Sequence, residues 1–130
     1  MGDGLLALIG VLLFLAVLFV LMKRSAQPKL KKSYYQKQWA GINDKKSEAE
    51  KLIYADRLLD SAMQKLNIRG QTTGERLNNG EAFIKDLNSV WKAHKLRNKL
   101  VHEPDFNVSE KDVKHSLNVY KKALKDLGAL

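Results

Sequence analysis

The sequence predicts an all-α chain in which a single N-terminal transmembrane helix precedes a small bundle of three to four main helices. The first observation behind this is an uncharged run, Leu5 to Met22, in which Gly10 alone is not hydrophobic. The second is that the segments following Ser47 and Ser109 place apolar residues three and four apart, the period of a helix that buries one face. The third is negative: the sequence holds no convincing strand pattern, internal repeat or low-complexity tract.

The 130 residues leave room for one domain beyond the anchor. We divide the chain into a transmembrane anchor (1–22), a basic juxtamembrane linker with a short aromatic helix (23–46) and a helical domain (47–130). As a helix, Leu5 to Met22 spans ~27 Å, close to the hydrocarbon thickness of a bilayer. A signal peptide would carry a positive flank before a shorter apolar stretch, whereas here the run is preceded by Asp3 and no Lys or Arg, so an uncleaved anchor is expected. The far side carries Lys23, Arg24, Lys29, Lys31 and Lys32. The positive-inside rule then places the N-terminus outside and the domain in the cytoplasm, at the inner face of the cell membrane.

The net charge of +9 is concentrated beside the anchor. Lys23, Arg24, Lys29, Lys31, Lys32, Lys37, Lys45 and Lys46 accompany one acid, Asp44, whereas the rest of the domain is only mildly basic. Such a cluster attracts anionic lipid headgroups, at about 1 kcal/mol per basic side chain. It also means that the overall charge is no argument for nucleic acid. The absence of cysteine excludes disulfides, thiolate metal sites and cysteine nucleophiles.

Past the linker, Tyr34, Tyr35 and Trp39 suggest a short helix ending near Gly41; an aromatic stripe beside a basic linker suits a membrane interface, but Trp39 and Ile42 are expected to pack on the core. Ser47 and Glu50 form a capping box, and Leu52, Ala55, Leu59, Ala62, Met63 and Leu66 continue a helix that stops between Asn67 and Gly70. Glu75-Arg76-Leu77 adds one turn before Asn78-Asn79-Gly80 breaks it. A long helix is expected from about Glu81 to Val101, with Phe83, Leu87, Val90, Trp91, His94, Asn98 and Val101 on its inner face. Pro104 cannot continue it. The last helix starts at Ser109, capped with Asp112, and carries Val113, Leu117, Tyr120, Leu124 and Leu127 on one stripe before Gly128.

The chemistry-bearing constellation is Arg97, Asn98 and His102, in the pattern R-N-x-x-x-H. Asn98 and His102 are four apart and share a helix face. Arg97 is adjacent to Asn98 and reaches the same place only if the helix bends toward Pro104. Histidine is suited to general acid–base catalysis, and arginine holds a phosphodiester and stabilises charge developing on it. RNA carries its own 2′-hydroxyl nucleophile, so neither metal nor cofactor is required. A metal stripe of His94, Asn98 and His102 is disfavoured, because asparagine is a poor transition-metal ligand and H-E-x-x-H is absent. His115 lies off its helix's apolar stripe and is expected in solvent. Other catalytic signatures, such as a phosphate-binding glycine loop or a serine-hydrolase elbow, are missing.

Arg97, the polar Asn98 and then His102 at the end of a long helix resemble the signature of HEPN domains, compact helical bundles. Ala55-Asp56-Arg57-Leu58-Leu59-Asp60, Gly74-Glu75-Arg76-Leu77 and Trp91-Lys92-Ala93-His94 look like the corresponding blocks of uncharacterised membrane-anchored bacterial HEPN-like proteins. The resemblance covers about residues 33–128. It implies a homodimer and, in many members, a metal-independent endoribonuclease. Arg97 would then bind phosphate, Asn98 position it and His102 act as acid and base. The competing expectation is a non-catalytic dimerisation or partner-binding module, with Arg97 paired to Glu103 or Asp105 and His102 capping the helix end beside Asn98.

Overall fold

The computed structural model describes residues 2–25 and 28–130; residues 26 and 27 of the basic linker lie outside the described residues. Helix α1 (Gly2–Ser25) is followed by α2 (Lys32–Ala40), α3 (Glu48–Lys65), α4 (Thr73–Asn79), α5 (Leu87–His102) and α6 (Glu110–Asp126), and no strand occurs among them. A short 3-10 turn, Gly41–Asp44, links α2 to α3.

Helix α1 is long and apolar enough to cross a membrane, and none of its span from Gly2 to Lys23 is buried against the protein. Its 24 residues make a rod of ~36 Å. Large aliphatic and aromatic side chains point outward all round it, from Leu5 through Phe14 to Met22. An aqueous surface does not tolerate an apolar patch of that size.

The core is built by α3, which packs most extensively on α6 and also on α5, α2 and α4. The expected stripe on α3 is buried: Leu52, Ala55, Leu59, Ala62 and Met63 have no exposed surface. Each fully buried leucine here contributes ~1.5–3 kcal/mol. The Ser47 cap is present, its hydroxyl accepting from Glu50 N at 3.1 Å while the Glu50 carboxylate accepts from Lys46 N at 2.9 Å. The chain leaves α3 through Asn67, two residues past the end of the helix, which takes the left-handed conformation (φ 56) so that Ile68 N can reach back to Met63 O at 3.0 Å. Gly128, with φ 77, ends α6 in the same manner, with Ala129 N on Leu124 O at 2.8 Å.

Helix α4 runs longer than one turn, because Thr72 caps it by accepting from Glu75 N. It is pinned to α3 by the Arg76 guanidinium, which donates to both carboxylate oxygens of Asp60 at 2.7 and 3.0 Å. Burial pushes the Asp60 carboxyl up, but the hydrogen bonds from Arg76 and Gln64 and the charge of Arg76 outweigh it and hold it below the usual value.

The inner face of α5 departs from the sequence expectation. The helix begins at Leu87, because Asp86 caps it by accepting from Ser89 N at 3.2 Å. Before it the chain turns on Gly80, whose carbonyl accepts from Phe83 N and Ile84 N. That turn rotates Ile84 into the core (3% exposed) and leaves Phe83 at 46%. At the other end Val101 is exposed, and Ala93 fills the inner face instead. On α6, Leu117 is only partly buried, while Val119 and Ala123 extend the expected stripe.

The folded unit takes in the aromatic helix as well. Tyr35 and Ile42 are buried in the core, with Trp39 and Leu30 packed against it. The Tyr35 hydroxyl lies 3.3 Å from Ser61 Oγ on α3, while Tyr34 points to solvent.

Candidate functional site

The sequence singles out Arg97, Asn98 and His102 on α5. The structure brings the first two together around an acid that the motif does not contain, Asp56 of α3. Asp56 is 2% exposed in the middle of the bundle, where α3, α5 and α6 meet. Its Oδ1 accepts from the Tyr120 hydroxyl at 2.9 Å and pairs with His94 Nδ1 at 2.7 Å.

The remaining contacts close a ring, and the partners dictate its directions. With the Asp56 carboxylate as acceptor, His94 Nδ1 donates and Nε2 is left to accept. Asn98 Nδ2 supplies that donor at 3.2 Å, which turns Asn98 Oδ1 toward Arg97 Nη1, 3.0 Å away. Arg97 Nε then faces back to Asp56 Oδ2 at 3.4 Å, an ion-pair distance. Arg97 Nε is buried and lacks a hydrogen bond of good geometry, so its attraction to Asp56 is that of charge. The Trp91 ring meets the His94 ring edge-on, with centroids 5.8 Å apart, and holds the imidazole in place from the side.

Tyr120 is the group at this site whose titration moves clearly. Desolvation first, then the charge of Asp56 and the hydrogen bond to it, push the phenol well above its ordinary value. A raised folded-state value stabilises the fold fully below the unfolded value of about 10 and is lost as pH climbs toward the folded one. The melting temperature of the full chain in detergent is therefore expected to fall as pH rises past about 10. It should fall less steeply in Tyr120→Phe, as read by circular dichroism. Equal slopes in the two proteins would refute this.

His102 is placed differently. It is the last residue of α5 and exposed, and among the described residues no hydrogen bond or ion pair engages its side chain. Because α5 is helical through His102, the bend that would bring Arg97 beside His102 within one chain is absent. Five residues at 100° each set the two about 140° apart around the axis. Glu103 and Asp105 do not take Arg97, since Asp56 holds it. His102 does not cap the helix either; the C-cap is Glu103, whose N–H bonds to Lys99 O. His115 is exposed, as expected. Lys92, Lys95 and Lys99 are exposed too, and their spacing puts them on one ridge of α5 that ends at His102.

The motif alone did not reveal Asp56, His94 and Tyr120 as a cluster. A signal was present in the patterns: each of the three lies on the inward stripe of its helix. Polar groups on three converging apolar stripes have to satisfy one another in the core. No group of acidic and histidine residues among those described could hold a metal ion.

The fold and the site together define a helical bundle with a buried Asp–His–Asn–Arg ring, behind one helix able to span a membrane. No protein-family model matches the chain, and neither a curated protein nor a solved structure matches it.

Proposed function

We propose that the chain is a membrane-anchored, HEPN-like ribonuclease domain that faces the cytoplasm and cuts RNA without a metal, using Arg97, Asn98 and His102. The observation that carries this reading is the buried ring. Burying a carboxylate, a guanidinium, an imidazole and an amide is a poor way to stabilise a small bundle, since apolar residues of like volume generally do as well or better. The ring instead fixes the Arg97 fork and the Asn98 amide at the edge of α5, one turn before an unengaged histidine. Preorganised donors of this kind are what a transition state with developing charge requires.

The Lys92–Lys95–Lys99 ridge supports the choice of substrate, because it offers a line of positive charge to a phosphate backbone leading to His102. In the proposed reaction the 2′-oxygen attacks phosphorus and the bond from phosphorus to the 5′-oxygen breaks. His102 takes the 2′ proton and then gives it to the leaving 5′-oxygen, so that no net proton is lost, and Arg97 offsets the charge on the phosphoryl oxygens. The angle between Arg97 and His102 within one chain favours a homodimer in which two α5 ends meet. The exposed Val101 beside His102 offers an apolar contact for it.

The test is incubation of RNA pools with the full chain in detergent and EDTA. Cleavage should leave 2′,3′-cyclic phosphate and 5′-hydroxyl ends, and a linkage carrying 2′-deoxyribose should stay intact. A second reading, a non-catalytic dimerisation or partner-binding module, is favoured by the engagement of Arg97 with Asp56 and Asn98. Absence of cleavage from every pool would select it.

A further inference from the structure

A cavity of about 550 Å³ lies between the segment entering α2 and the last turns of α3. Its walls carry Lys29, Lys31 and Lys65, its apolar lining includes Leu30 and Tyr34, and Tyr35 and Ser61 contribute hydroxyls. No acidic residue lines it, and none of the three lysines takes part in an ion pair among the described residues. The Tyr35 and Ser61 hydroxyls are 3.3 Å apart, so whichever donates, the hydrogen of the other remains for a ligand oxygen. A pocket lined by three lysines that form no ion pair among the described residues, with a spare hydroxyl hydrogen and apolar walls, matches a phosphate with a greasy attachment.

We infer that this cavity binds the phosphate headgroup of an anionic phospholipid from the membrane in which α1 sits. The chain itself supplies the reason to choose a lipid. Helix α1, at ~36 Å, exceeds the ~30 Å hydrocarbon core, so its ends enter the headgroup layer. Pro28, which lines the cavity, follows Ser25 by three residues, which reach at most about 11 Å. The pocket is therefore tethered at the depth where lipid phosphates are concentrated. This goes beyond diffuse attraction of the whole linker, because it assigns a role to Lys65, which lies far from the linker in sequence and on another helix. A seated headgroup would also fix the bundle's orientation against the membrane, leaving the α5 ridge on a defined side. The inference rests on α1 spanning the membrane and is independent of whether the domain cleaves RNA.

The test uses the full chain in lipid nanodiscs of phosphatidylcholine alone or with added phosphatidylglycerol. Acetylation rates of individual lysines are read by mass spectrometry. Co-elution with the disc first establishes that the chain is inserted; failure to insert overturns the membrane reading itself. With phosphatidylglycerol, acetylation at Lys29, Lys31 and Lys65 is expected to slow by about fivefold each, the factor that ~1 kcal/mol per basic side chain represents. Lys45 and Lys46, which feel only the diffuse attraction of the linker, should slow less than these three, and Lys111 should change little. Lys31→Gln combined with Lys65→Gln should abolish the effect at Lys29 while leaving the melting temperature unaltered. Equal slowing at every juxtamembrane lysine, or none at Lys65, would overturn the pocket. Equal protection by inorganic phosphate in phosphatidylcholine discs would overturn the lipid assignment.

Discussion

Replacing Asp56 with alanine is expected to destabilise the domain by ~3–5 kcal/mol, the range for removing one partner of a buried ion pair. Asp56 is the common acceptor of the ring, so its loss strands several groups at once. The Tyr120 hydroxyl and His94 Nδ1 lose their acceptor, and the half-buried Arg97 guanidinium loses its counter-charge. Each stranded neutral donor costs about 1–3 kcal/mol, and a buried charge more. The penalties overlap because all arise from one removed group, so they are not added. Asp56→Asn keeps the volume and one acceptor oxygen but not the charge, and should fall between alanine and wild type. Denaturant titration of the full chain in detergent reads both values. A loss below about 1 kcal/mol in Asp56→Ala would mean that the ring is not formed.

If the proposed ribonuclease reading holds, Arg97→Ala lowers RNA cleavage by about two to three orders of magnitude, the usual effect of removing one donor from a preorganised transition-state site. It should also lower stability, because Asp56 is then left buried with a charge that His94 and Tyr120 only solvate. Rates therefore have to be compared at a temperature where the variant remains folded. Arg97→Lys separates charge from geometry. A lysine restores a positive charge near Asp56 but lacks the fork that reaches both Asp56 and Asn98, so stability should recover more than cleavage does. Recovery of cleavage to the wild-type rate would show that the fork is irrelevant.

Much of this architecture was readable from periodicity and caps. The uncharged run gave α1, and the one-sided stripes with Ser47 and Ser109 gave α3 and α6. Where structure and period differ, a local signal competes with the period. Asp86 is a good cap lying inside an apparently continuous apolar pattern, and by capping it moved the start of α5 to Leu87. Phe83 looked like a core residue by spacing, yet the turn at Gly80 put Ile84 inward instead. The site was legible along the chain but not across it. Arg97, Asn98 and His102 are contiguous enough to be seen as a motif. Asp56 is 41 residues away from Arg97 in sequence and becomes a neighbour only when α3 and α5 pack. Its place between Leu52 and Leu59 on a buried stripe was the available hint, since a carboxylate there needs partners from other helices.

On the proposed ribonuclease reading His102 at the exposed end of α5 moves the proton, while the buried ring behind it orders the Arg97 fork, and His102 can be altered without disturbing that ring. His102 is exposed and unengaged among the described residues, so His102→Ala should leave stability within about 0.5 kcal/mol of wild type. The decisive measurement is the metal-free RNA cleavage rate of this variant beside the unaltered full chain. A fall of about 10²–10⁴-fold at unchanged melting temperature is the predicted result. Cleavage by His102→Ala at the wild-type rate would contradict the account.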